Sequence, residues 1–462
     1  GTKSRKQLVH KYCLLATYLL PKMLSSNSQT IADIVGGSST TYVEFDGVYT
    51  DTREPGKGKL FIAIEGESFD GHDFVQYAED GGAKAIITHK ELATSLPAIT
   101  VTNTEEAYRA IASWHRQSFS PIVIAITGSN GKTSTKNMLA NILALDAPTL
   151  CTQGNLNNHL GVPKTLLNIK KEHKYCVIEM GANHVNEISL LCQLSKPSFA
   201  IITNANNAHL GEFGSLDNLV RAKGEIIDAL PASGVSFINV ESPHKAAWKN
   251  IAGSRNCILF GNNTAIFATD IIEKKSALQF NLHCSNATTS VTLSMIGKHQ
   301  VENAIAAAAC ASHLGIGISH IKQGLELTTN EQGRLNRLQC GNFTILDDSY
   351  NANPHSMKAA IDTLASLTGE KIAVLGSMAE LGDESNNLHQ EIGDYARQNS
   401  VDHVYTIGSD AKYYQGRRFE NIQSLHQHLT KHHSGATILI KGSRLMQLDK
   451  LVNLFAKTTN SA

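Results

Sequence analysis

The stretch PIVIAITGSNGKTST, residues Pro121 to Thr135, contains the pattern that decides the fold. The β-branched and small apolar residues from Ile122 to Ile126 predict a buried strand, and a helical pattern follows the glycine-rich segment after it. Glycines in such a turn let backbone N–H groups point at a phosphate, and the helix N-terminus adds a partial positive charge. The stretch therefore predicts a phosphate-binding loop between a strand and a helix.

Two side chains of this loop have the chemistry that a nucleoside triphosphate requires. Lys132 can reach the β- and γ-phosphates, and the Thr133 hydroxyl can ligate Mg²⁺. The spacing departs from the G-x-x-x-x-G-K-[ST] rule, because Ile126 stands where the first glycine would be. An ordinary left-handed turn is the alternative, but we favour nucleoside triphosphate binding.

Composition limits the possible classes of protein. The 462 residues, 42% hydrophobic and 18% charged, predict a folded chain of about three domains. Lys+Arg and Asp+Glu are 41 each, so the zero net charge argues against a nucleic-acid partner. The eight cysteines are scattered without a C-x-x-C pair, as in proteins of a reducing compartment. The run from Leu8 to Leu20 is too interrupted by polar residues for a membrane span or a secretory signal, so we expect a cytoplasmic protein.

Polar residues follow the predicted strands of the central region. Tyr175 to Met180 and Phe199 to Thr203 are apolar runs separated by helical segments, which predicts a doubly wound parallel sheet. Ligands bind at the carboxyl ends of such strands. Glu179 is costly in its apolar run unless it meets a cation, and beside Thr133 it would complete a Mg²⁺ site. A glutamate facing solvent from an edge strand is the alternative.

Lys223 lies on an apolar helical stripe. With Ser215 as a plausible N-cap, the lysine comes seven residues after Leu216 and four before Ile227. Desolvation there would lower its pKa and make the neutral amine available for chemistry. The alternative is a lysine that snorkels from the edge of the stripe. Gly224 weakens the helix and fits a close approach by another group.

The whole chain predicts an α/β fold of three domains. We place an N-terminal α/β domain at 25–118, the central P-loop domain with its doubly wound parallel sheet at 119–329, and a Rossmann-like C-terminal domain at 330–462. Residues 1–24 form an extension without an assigned role. Residues 234 to 296 are expected to alternate short strands with polar turns. In the C-terminal domain, polar clusters again follow four predicted strands, at 344–346, 372–375, 404–407 and 437–440, and Asn353-Pro354 predicts a helix start.

Asp347 and Asp348 have no lysine close in sequence, which favours a functional role over a solvated turn.

Eight motifs occur in an order and spacing that resemble the Mur ligase family over about residues 25 to 455. They are TGSNGKTST (127–135), GNLNNHLGVP (154–163), EMGANHVNEI (179–188), AHLGEFGS (208–215), RAKGEI (221–226), DDSYNANPHSM (347–357), LGSMAELG (375–382) and KGSR (441–444). The resemblance implies an ADP-forming ligase that uses ATP to join D-alanyl-D-alanine to UDP-N-acetylmuramoyl-tripeptide in peptidoglycan synthesis, through an acyl phosphate. It also implies a monomer with no nucleic-acid partner and no membrane span.

The resemblance assigns roles to individual residues of this chain. It implies contacts to ATP from the phosphate loop and from three distant residues: Thr127, Gly128, Asn130, Gly131, Lys132, Thr133, Ser134, Asn303 (adenine), Asp348 (ribose) and Arg334 (the transferred phosphate). It implies one Mg²⁺ at Thr133 and Glu179 and a second at His209 with a carbamylated Lys223. Catalytic roles fall to Lys132, Lys223, His209 and Arg334.

Three groups of residues are implied to bind substrates. The uridine nucleotide is assigned to Thr52, Arg53, Asp70, Gly71 and His72. The muramoyl peptide is assigned to Asn155, Asn157 and Asn158, and the incoming dipeptide to Lys441, Ser443 and Arg444. The third residue of the peptide is left open between lysine and diaminopimelate.

Three alternatives compete with this interpretation. A sister ligase that adds the third amino acid would want a DNPR-like segment in the C-terminal domain, and none occurs. A folate polyglutamylase is the second alternative. A nucleotide-dependent switch without ligase chemistry would leave Lys223 on its stripe unexplained.

Overall fold

The computed structural model describes residues 24–66, 69–206, 210–274 and 276–459. The predicted extension therefore lies outside the described residues except for Leu24. The chain forms two compact units, residues up to 120 together with 163–171, and residues 121–162 together with those from 172 onward. None of the described helices is both long enough and apolar enough to span a lipid bilayer.

The first unit is a small α/β structure. Its elements are β1 (Ser25–Asn27), α1 (Ser28–Val35), β2 (Ser38–Ser39), β3 (Glu44–Asp46), β4 (Val48–Tyr49), β5 (Leu60–Ile62), α2 (Val75–Asp80), β6 (Ala85–Thr88), β7 (Ala98–Thr100) and α3 (Thr104–Gln117). A five-stranded sheet has the order β2-β7-β6-β5-β4 and is parallel except at β2. Residues 163–171 join this unit through the Ile169 carbonyl, which lies 2.9 Å from His115 Nε2.

The second unit begins with a six-stranded parallel sheet. Its strands are β8 (Ile122–Thr127), β9 (Thr149–Cys151), β10 (Tyr175–Glu179), β11 (Phe199–Ile202), β12 (Val235–Asn239) and β13 (Asn256–Phe260). The order is β13-β12-β11-β8-β10-β9, so chain order reverses on the two sides of β8. The doubly wound prediction is confirmed. The loop after β8 lies at the switch point, where such sheets bind ligands.

Helices cover both faces of this sheet. They are α4 (Lys132–Ala144), α6 (Glu187–Ser195), α7 (Leu210–Phe213), α8 (Leu216–Asp228), α9 (Lys245–Ala252), α10 (His299–His313) and α11 (Ile318–Leu327). The helix α5 (Gly161–Leu166) begins in this unit and continues in the first unit from residue 163. The small residues from Ala304 to Ala311 are almost all fully buried, and they let α10 pack closely within the core.

The expectation for residues 234 to 296 was wrong in two respects. Lys245–Ala252 is a helix, anchored by the buried Trp248, whose indole N–H donates to the Val220 carbonyl over 3.1 Å. A segment this short is helical because of such tertiary contacts and not because of its propensity. After β13, an antiparallel sheet contains strands of seven to nine residues: β14 (Ile266–Lys274), β15 (Ala277–Cys284) and β16 (Ala287–Leu293).

The C-terminal sheet has six strands, where the sequence predicted four. The strands are β17 (Asn336–Cys340), β18 (Phe343–Asp348), β19 (Lys371–Gly376), β20 (His403–Ile407), β21 (Arg417–Phe419) and β22 (Thr437–Lys441), in the order β17-β18-β22-β19-β20-β21. Only β17 is antiparallel to its neighbour. The two missed strands are the edges, where polar residues leave little periodic signal. The helices are α12 (Pro354–Ala365), α13 (Ser385–Gln398), α14 (Ile422–His432) and α15 (Asp449–Thr459).

Most of the described cysteines are buried. Cysteines within the described ranges form no disulfide bond. Cys192 is buried on α6, Cys310 is buried in the central core, and Cys340 is buried in the C-terminal core.

Candidate active site

The loop after β8 requires glycine at two positions. Gly128 and Gly131 have φ values of +151° and +79°, a region that residues with a Cβ rarely adopt. A Cβ at Gly128 would lie 1.9 Å from Thr203 Oγ1, and one at Gly131 would lie 2.2 Å from Asn303 Oδ1. The loop is thus wound tightly against its neighbours, and α4 begins directly after it at Lys132.

The Lys132 ammonium lies inside this loop. Its Nζ donates to the carbonyl oxygens of Gly128 at 2.7 Å and Ser129 at 3.3 Å. Burial lowers the pKa of Lys132, the carboxylate of Glu179 opposes that shift, and the charge of Arg334 adds to it. The two predicted phosphate-binding cations and the predicted metal-binding carboxylate therefore lie close enough to interact.

Asn130 connects the loop to two other segments. Its backbone N–H donates to Asn204 Oδ1 at 2.9 Å, and Asn204 Nδ2 donates back to the Asn130 carbonyl at 3.1 Å. The Asn130 side chain accepts a hydrogen bond of 2.8 Å from Asn353 Nδ2, at the start of α12. The loop conformation is thus fixed from both β11 and the C-terminal sheet.

Glu179 and Thr133 form the arrangement expected of a magnesium site. Glu179 is 1% exposed, and its Oε2 accepts a hydrogen bond from Thr133 Oγ1 at 2.8 Å. Neighbouring oxygen ligands of octahedral Mg²⁺ are about 2.9 Å apart, given bonds of about 2.0–2.1 Å. Since β10 lies between β8 and β9, the alternative of a solvent-facing edge glutamate is excluded. The donor set and spacing fit Mg²⁺.

Lys223 is buried, as the stripe predicted. It is 2% exposed, which excludes the snorkelling alternative, and its Nζ lies 5.4 Å from the centre of the Phe213 ring. Burial, together with the nearby charge of Lys132, lowers the pKa of Lys223 to about 7. The close approach expected at Gly224 is also observed, because a Cβ there would lie 2.4 Å from Ile251 Cδ1 on α9.

His209, the other expected ligand of the second metal, lies outside the described residues.

Arg334 lies just after the central region with part of its guanidinium free. Its Cζ is 4.2 Å from the centre of the Tyr350 ring, and its Nε is 4.0 Å from Glu331 Oε2. Within the described part of the chain, the buried Nε has no hydrogen-bond partner. Because Arg334 also lies near enough to Lys132 to affect its pKa, an anion between the two would satisfy both cations.

Asp348 forms an ion pair that the sequence did not reveal. Lys441 Nζ lies 2.6 Å from Asp348 Oδ2 and donates to the Asn351 carbonyl at 2.8 Å. The pairing of β18 with β22 brings the two residues together, so Asp348 has a cationic partner after all. Asp347 is buried beside it and accepts a hydrogen bond of 2.6 Å from Ser349 Oγ, while burial raises its pKa.

The segments after β19 and β22 are joined to each other and to α7. The Ser443 N–H donates to the Ser377 carbonyl at 3.0 Å, and the Gly211 N–H donates to the Glu380 carbonyl at 3.1 Å. The exposed Arg444, in contrast, is directed to Asp449, with 3.4 Å between its Nη1 and the carboxylate.

The three asparagines assigned to the muramoyl peptide have different surroundings. Asn157 Nδ2 donates to Glu179 Oε1 at 2.8 Å and so orients the carboxylate. Asn158 Oδ1 accepts the backbone N–H of Gly161 at 2.8 Å at the start of α5. Asn155 is exposed.

Other nucleotide-binding assignments lie on the same side of the sheet. Thr127 Oγ1 donates to the Met180 carbonyl at 2.8 Å, and Ser134 is the third residue of α4. Asn303 is 6% exposed, and its Nδ2 donates to Gln300 Oε1 at 3.0 Å. Since Asn303 packs against Gly131, its contact with adenine stays a prediction.

The residues assigned to the uridine nucleotide belong to the first unit. Thr52 and Arg53 lie in the turn after β4, where Arg53 Nη2 is 2.6 Å from Asp51 Oδ2. Asp70, which begins the turn containing Gly71, accepts hydrogen bonds of 2.9 Å from the His72 N–H and 2.5 Å from Lys90 Nζ. Burial raises the pKa of Asp70, but these hydrogen bonds outweigh it and hold that pKa below its usual range.

Comparison with known proteins decides the family. The Mur ligase middle domain matches residues 126–311, the glutamate ligase domain of Mur ligases matches 333–444, and the catalytic domain of the Mur ligase family matches 44–116. The UDP-N-acetylmuramoyl-tripeptide--D-alanyl-D-alanine ligase of Escherichia coli is 38% identical over 443 residues, covering 93% of this chain and 98% of that protein. The chain belongs to the Mur ligase family.

Solved structures agree with the fold of this Mur ligase. MurF from Acinetobacter baumannii superposes with a TM-score of 0.89 at 34% identity, covering 95% of this chain and 100% of that one. MurF from Thermotoga maritima in complex with ADP superposes with a TM-score of 0.79 at 26% identity, covering 90% and 98%. The predicted α/β fold class is confirmed, while the exact domain boundaries stay a prediction.

Sequence reasoning missed several residues that shape the site of this Mur ligase. Lys136 is 1% exposed on α4, and its Nζ donates to the Thr152 carbonyl at 2.7 Å. Its position one helical turn after Lys132 was the available signal. His389 is fully buried and accepts the Met378 N–H at Nε2 over 2.9 Å, which holds the segment after β19. The contact between His389 and Met378 could not be predicted, because His389 lies in a mostly polar helical segment with no motif around it.

Proposed function

We propose that this Mur ligase joins D-alanyl-D-alanine to UDP-N-acetylmuramoyl-tripeptide, with ATP as the phosphoryl donor, in peptidoglycan synthesis. The observation that carries the proposal is the clustering of Lys132, Thr133 and Glu179 around a glycine loop at the switch point of the sheet. The similarity to the Escherichia coli ligase, which covers 93% of this chain, supports the choice of substrates.

The reaction would proceed in two steps. The terminal carboxylate of the tripeptide attacks the γ-phosphorus of ATP, which gives an acyl phosphate and ADP. The amine of the dipeptide then attacks the acyl carbon, and inorganic phosphate leaves as the amide bond forms. Lys132 neutralises the charge that spreads over the phosphoryl oxygens, and Arg334 is suited to the same task.

Mg²⁺ would be held by Thr133 and Glu179 at one site and by His209 and Lys223 at a second. Bound Mg²⁺ supplies charge neutralisation and orientation at the phosphates. Asn157 keeps the Glu179 carboxylate oriented through its 2.8 Å hydrogen bond.

Lys223 would act as a metal ligand after carbamylation. A neutral amine attacks the carbon of CO₂ and loses a proton, which gives a carbamate anion with carboxylate-like oxygens. The lowered pKa of about 7 supports this step, because it leaves much of the amine neutral at physiological pH.

The substrate-contact roles are part of the same proposal. We assign the uridine nucleotide to Thr52, Arg53 and the 70–72 turn, the muramoyl peptide to the asparagines of the 155–158 loop, and the dipeptide to the 441–444 segment. Asp348 would contact the ribose and Asn303 the adenine. A monomer in the cytoplasm is our expectation.

Phosphate release tests the function. We expect release from ATP only when UDP-N-acetylmuramoyl-tripeptide and D-alanyl-D-alanine are both present. Lys132→Ala should abolish it, because the substitution removes the ammonium that lies inside the loop, whereas Lys249→Ala on the exposed face of α9 should leave it unchanged. Release that is indifferent to the two substrates would instead indicate a nucleotide-dependent switch, and near-normal turnover by Lys132→Ala would refute the phosphate-loop assignment.

A further inference from the structure

Glu370, His403 and His433 form a cluster of potential metal ligands away from the active site. One ligand atom from each residue lies within 4.8 Å of the other two. All three stand at the amino ends of the C-terminal strands, whereas the segments assigned to substrate follow the carboxyl ends. The cluster is therefore on the opposite edge of the sheet from the proposed reaction.

The sheet itself fixes the positions of the three residues. Glu370 directly precedes β19, and His403 is the first residue of β20. His433 caps the C-terminus of α14, in the connection to β22. Because β22, β19 and β20 are neighbours in the sheet, three adjacent backbone anchors present the three side chains on one edge.

The distances suit a tetrahedral ion. Glu370 Oε1 lies 3.3 Å from His403 Nε2 and 2.7 Å from His433 Nδ1. Two ligands of tetrahedral Zn²⁺ are about 3.3 Å apart, given bonds of about 2.0–2.1 Å. The distance between Glu370 and His403 already matches this value. Glu370 Oε1 and His433 Nδ1, which now form a hydrogen bond, would have to move about 0.6 Å apart.

Tyr405 supplies the outer support that metal-binding histidines usually have. Its hydroxyl lies 2.6 Å from His433 Nε2, the ring nitrogen that does not face Glu370. An ion at Nδ1 would leave the proton on Nε2, and that N–H would then donate to the Tyr405 oxygen. The Tyr405 ring also stacks on His403, with centroids 6.0 Å apart and planes at 9°. One residue thus orients both imidazoles.

Solvent access differs among the three side chains. The His433 side chain is 6% exposed, that of Glu370 is 33% exposed and that of His403 is 45% exposed. The cluster is therefore buried at His433 and open to water at His403. An ion could enter from the His403 side, where a water molecule could supply the fourth ligand.

We propose that Glu370 Oε1, His403 Nε2 and His433 Nδ1 bind one divalent transition-metal ion of the Zn²⁺ class. Two imidazoles and one carboxylate favour Zn²⁺, Co²⁺ or Ni²⁺ over Mg²⁺, which prefers oxygen ligands. The site is separate from the Mg²⁺ sites of the ligase reaction. The bound ion would hold together the amino ends of β19, β20 and β22.

Co²⁺ titration of the metal-free full chain tests the proposal, with Mg²⁺ in excess to occupy oxygen-ligand sites. Visible d–d absorption should saturate at one equivalent in the wild type. His403→Gln and Glu370→Gln should weaken binding by more than the roughly 10–100-fold expected for Tyr405→Phe, which removes only the outer support. His432→Gln, next to His433 but outside the cluster, should bind as the wild type does.

Since His403 is half exposed, its variant should fold normally, and equal thermal unfolding of the metal-free proteins would check this. With Mg²⁺ supplied and no transition metal added, ligation by His403→Gln should equal that of the wild type. The proposal is overturned if no saturable d–d band forms, if His403→Gln or Glu370→Gln keeps it, or if a thiolate charge-transfer band shows that cysteines hold the ion.

Discussion

At the scale of single residues, burial changes the chemistry of Lys223. An amine with a pKa of about 7 is about half neutral at pH 7, whereas an ordinary lysine is neutral in only about one molecule in 3000. The unfolded chain binds the additional proton between pH 7 and about 10.5, so the contribution of Lys223 to the unfolding free energy rises with pH in that window. Below pH 7 Lys223 is charged in both the folded and the unfolded chain, and burying its ammonium lowers the unfolding free energy by the full amount.

We predict that carbamylation of Lys223 follows this titration. Signal from ¹³C-bicarbonate on the protein, measured by NMR, should increase as pH rises through about 7, and Lys249→Ala should behave like the wild type. Lys223→Ala should lose the signal and most of the ligase activity, and short carboxylic acids should restore activity in part by supplying the missing oxygens. Failure of this rescue together with absence of the wild-type signal would contradict the carbamate.

Sequence patterns located single buried groups and placed Thr133 beside Glu179, but they did not reveal the partner of Asp348. Glu179 and Lys223 could be predicted because each is a charged residue in an apolar pattern, which is costly without a function. The partner of Asp348 could not, because Lys441 is far away in the chain and only the pairing of β18 with β22 joins them. The missing information at this scale is long-range strand order.

At the scale of elements, α4 and α11 approach each other unusually closely. A Cβ at Gly324 on α11 would lie 2.5 Å from the Ile142 Cα on α4, so glycine is required by the contact between two backbones. This contact supports the helix that begins at the phosphate loop.

Gly324→Ala should therefore destabilise the fold by about 1–3 kcal/mol, because the backbones must separate to admit the methyl group. Chemical denaturation would measure the loss. Gly317→Ser is the matched control, since Gly317 is the N-cap of the same helix, no other atom lies closer than 4.0 Å, and serine is a good N-cap. Equal stability of the two variants would show that the helices can move apart freely.

Elements with strong periodicity or turn chemistry were predictable. Asn353-Pro354 starts α12 as expected, with a capping box to Ser356, and Ser215 caps α8. The edge strands β17 and β21 and the helix α9 were not predicted, because their residues are polar or few and their structure depends on neighbours. Local sequence preference predicts secondary structure poorly in segments whose conformation depends on tertiary contacts.

At the scale of the whole second unit, the pair of Asn130 and Asn353 joins the phosphate loop to the C-terminal sheet. Asn353 caps α12 through its Oδ1 and holds the Asn130 side chain through its Nδ2. Neither sequence motif indicated this contact, because each asparagine already had a local explanation. How the phosphate loop and the C-terminal sheet are joined is therefore the part of the site that could not be predicted from the sequence.

Asn353→Ser should separate these two roles. Serine keeps the cap, so the melting temperature should change little, but it is too short to reach Asn130. Two hydrogen bonds join these side chains, one of 2.8 Å from Asn353 Nδ2 and one of 3.4 Å from Asn130 Nδ2. Loss of the shorter one alone, at about 0.5–1.5 kcal/mol, predicts a fall of at least roughly 2–12-fold in kcat/KM for ATP. Asn353→Ala should show that fall and a lower melting temperature as well. An unchanged kcat/KM in both variants would mean that the asparagine pair does not orient the loop.

The buried cysteines can serve as probes of how the protein unfolds. Burial raises the pKa of Cys310 and that of Cys340, so neither thiol reacts quickly while its surroundings stay closed. Cys310 lies in the centre of the α4–α10 core and Cys340 in the separate core of the C-terminal sheet. Alkylation rates at these two positions, resolved by peptide mass, would report whether the two cores unfold together or one after the other.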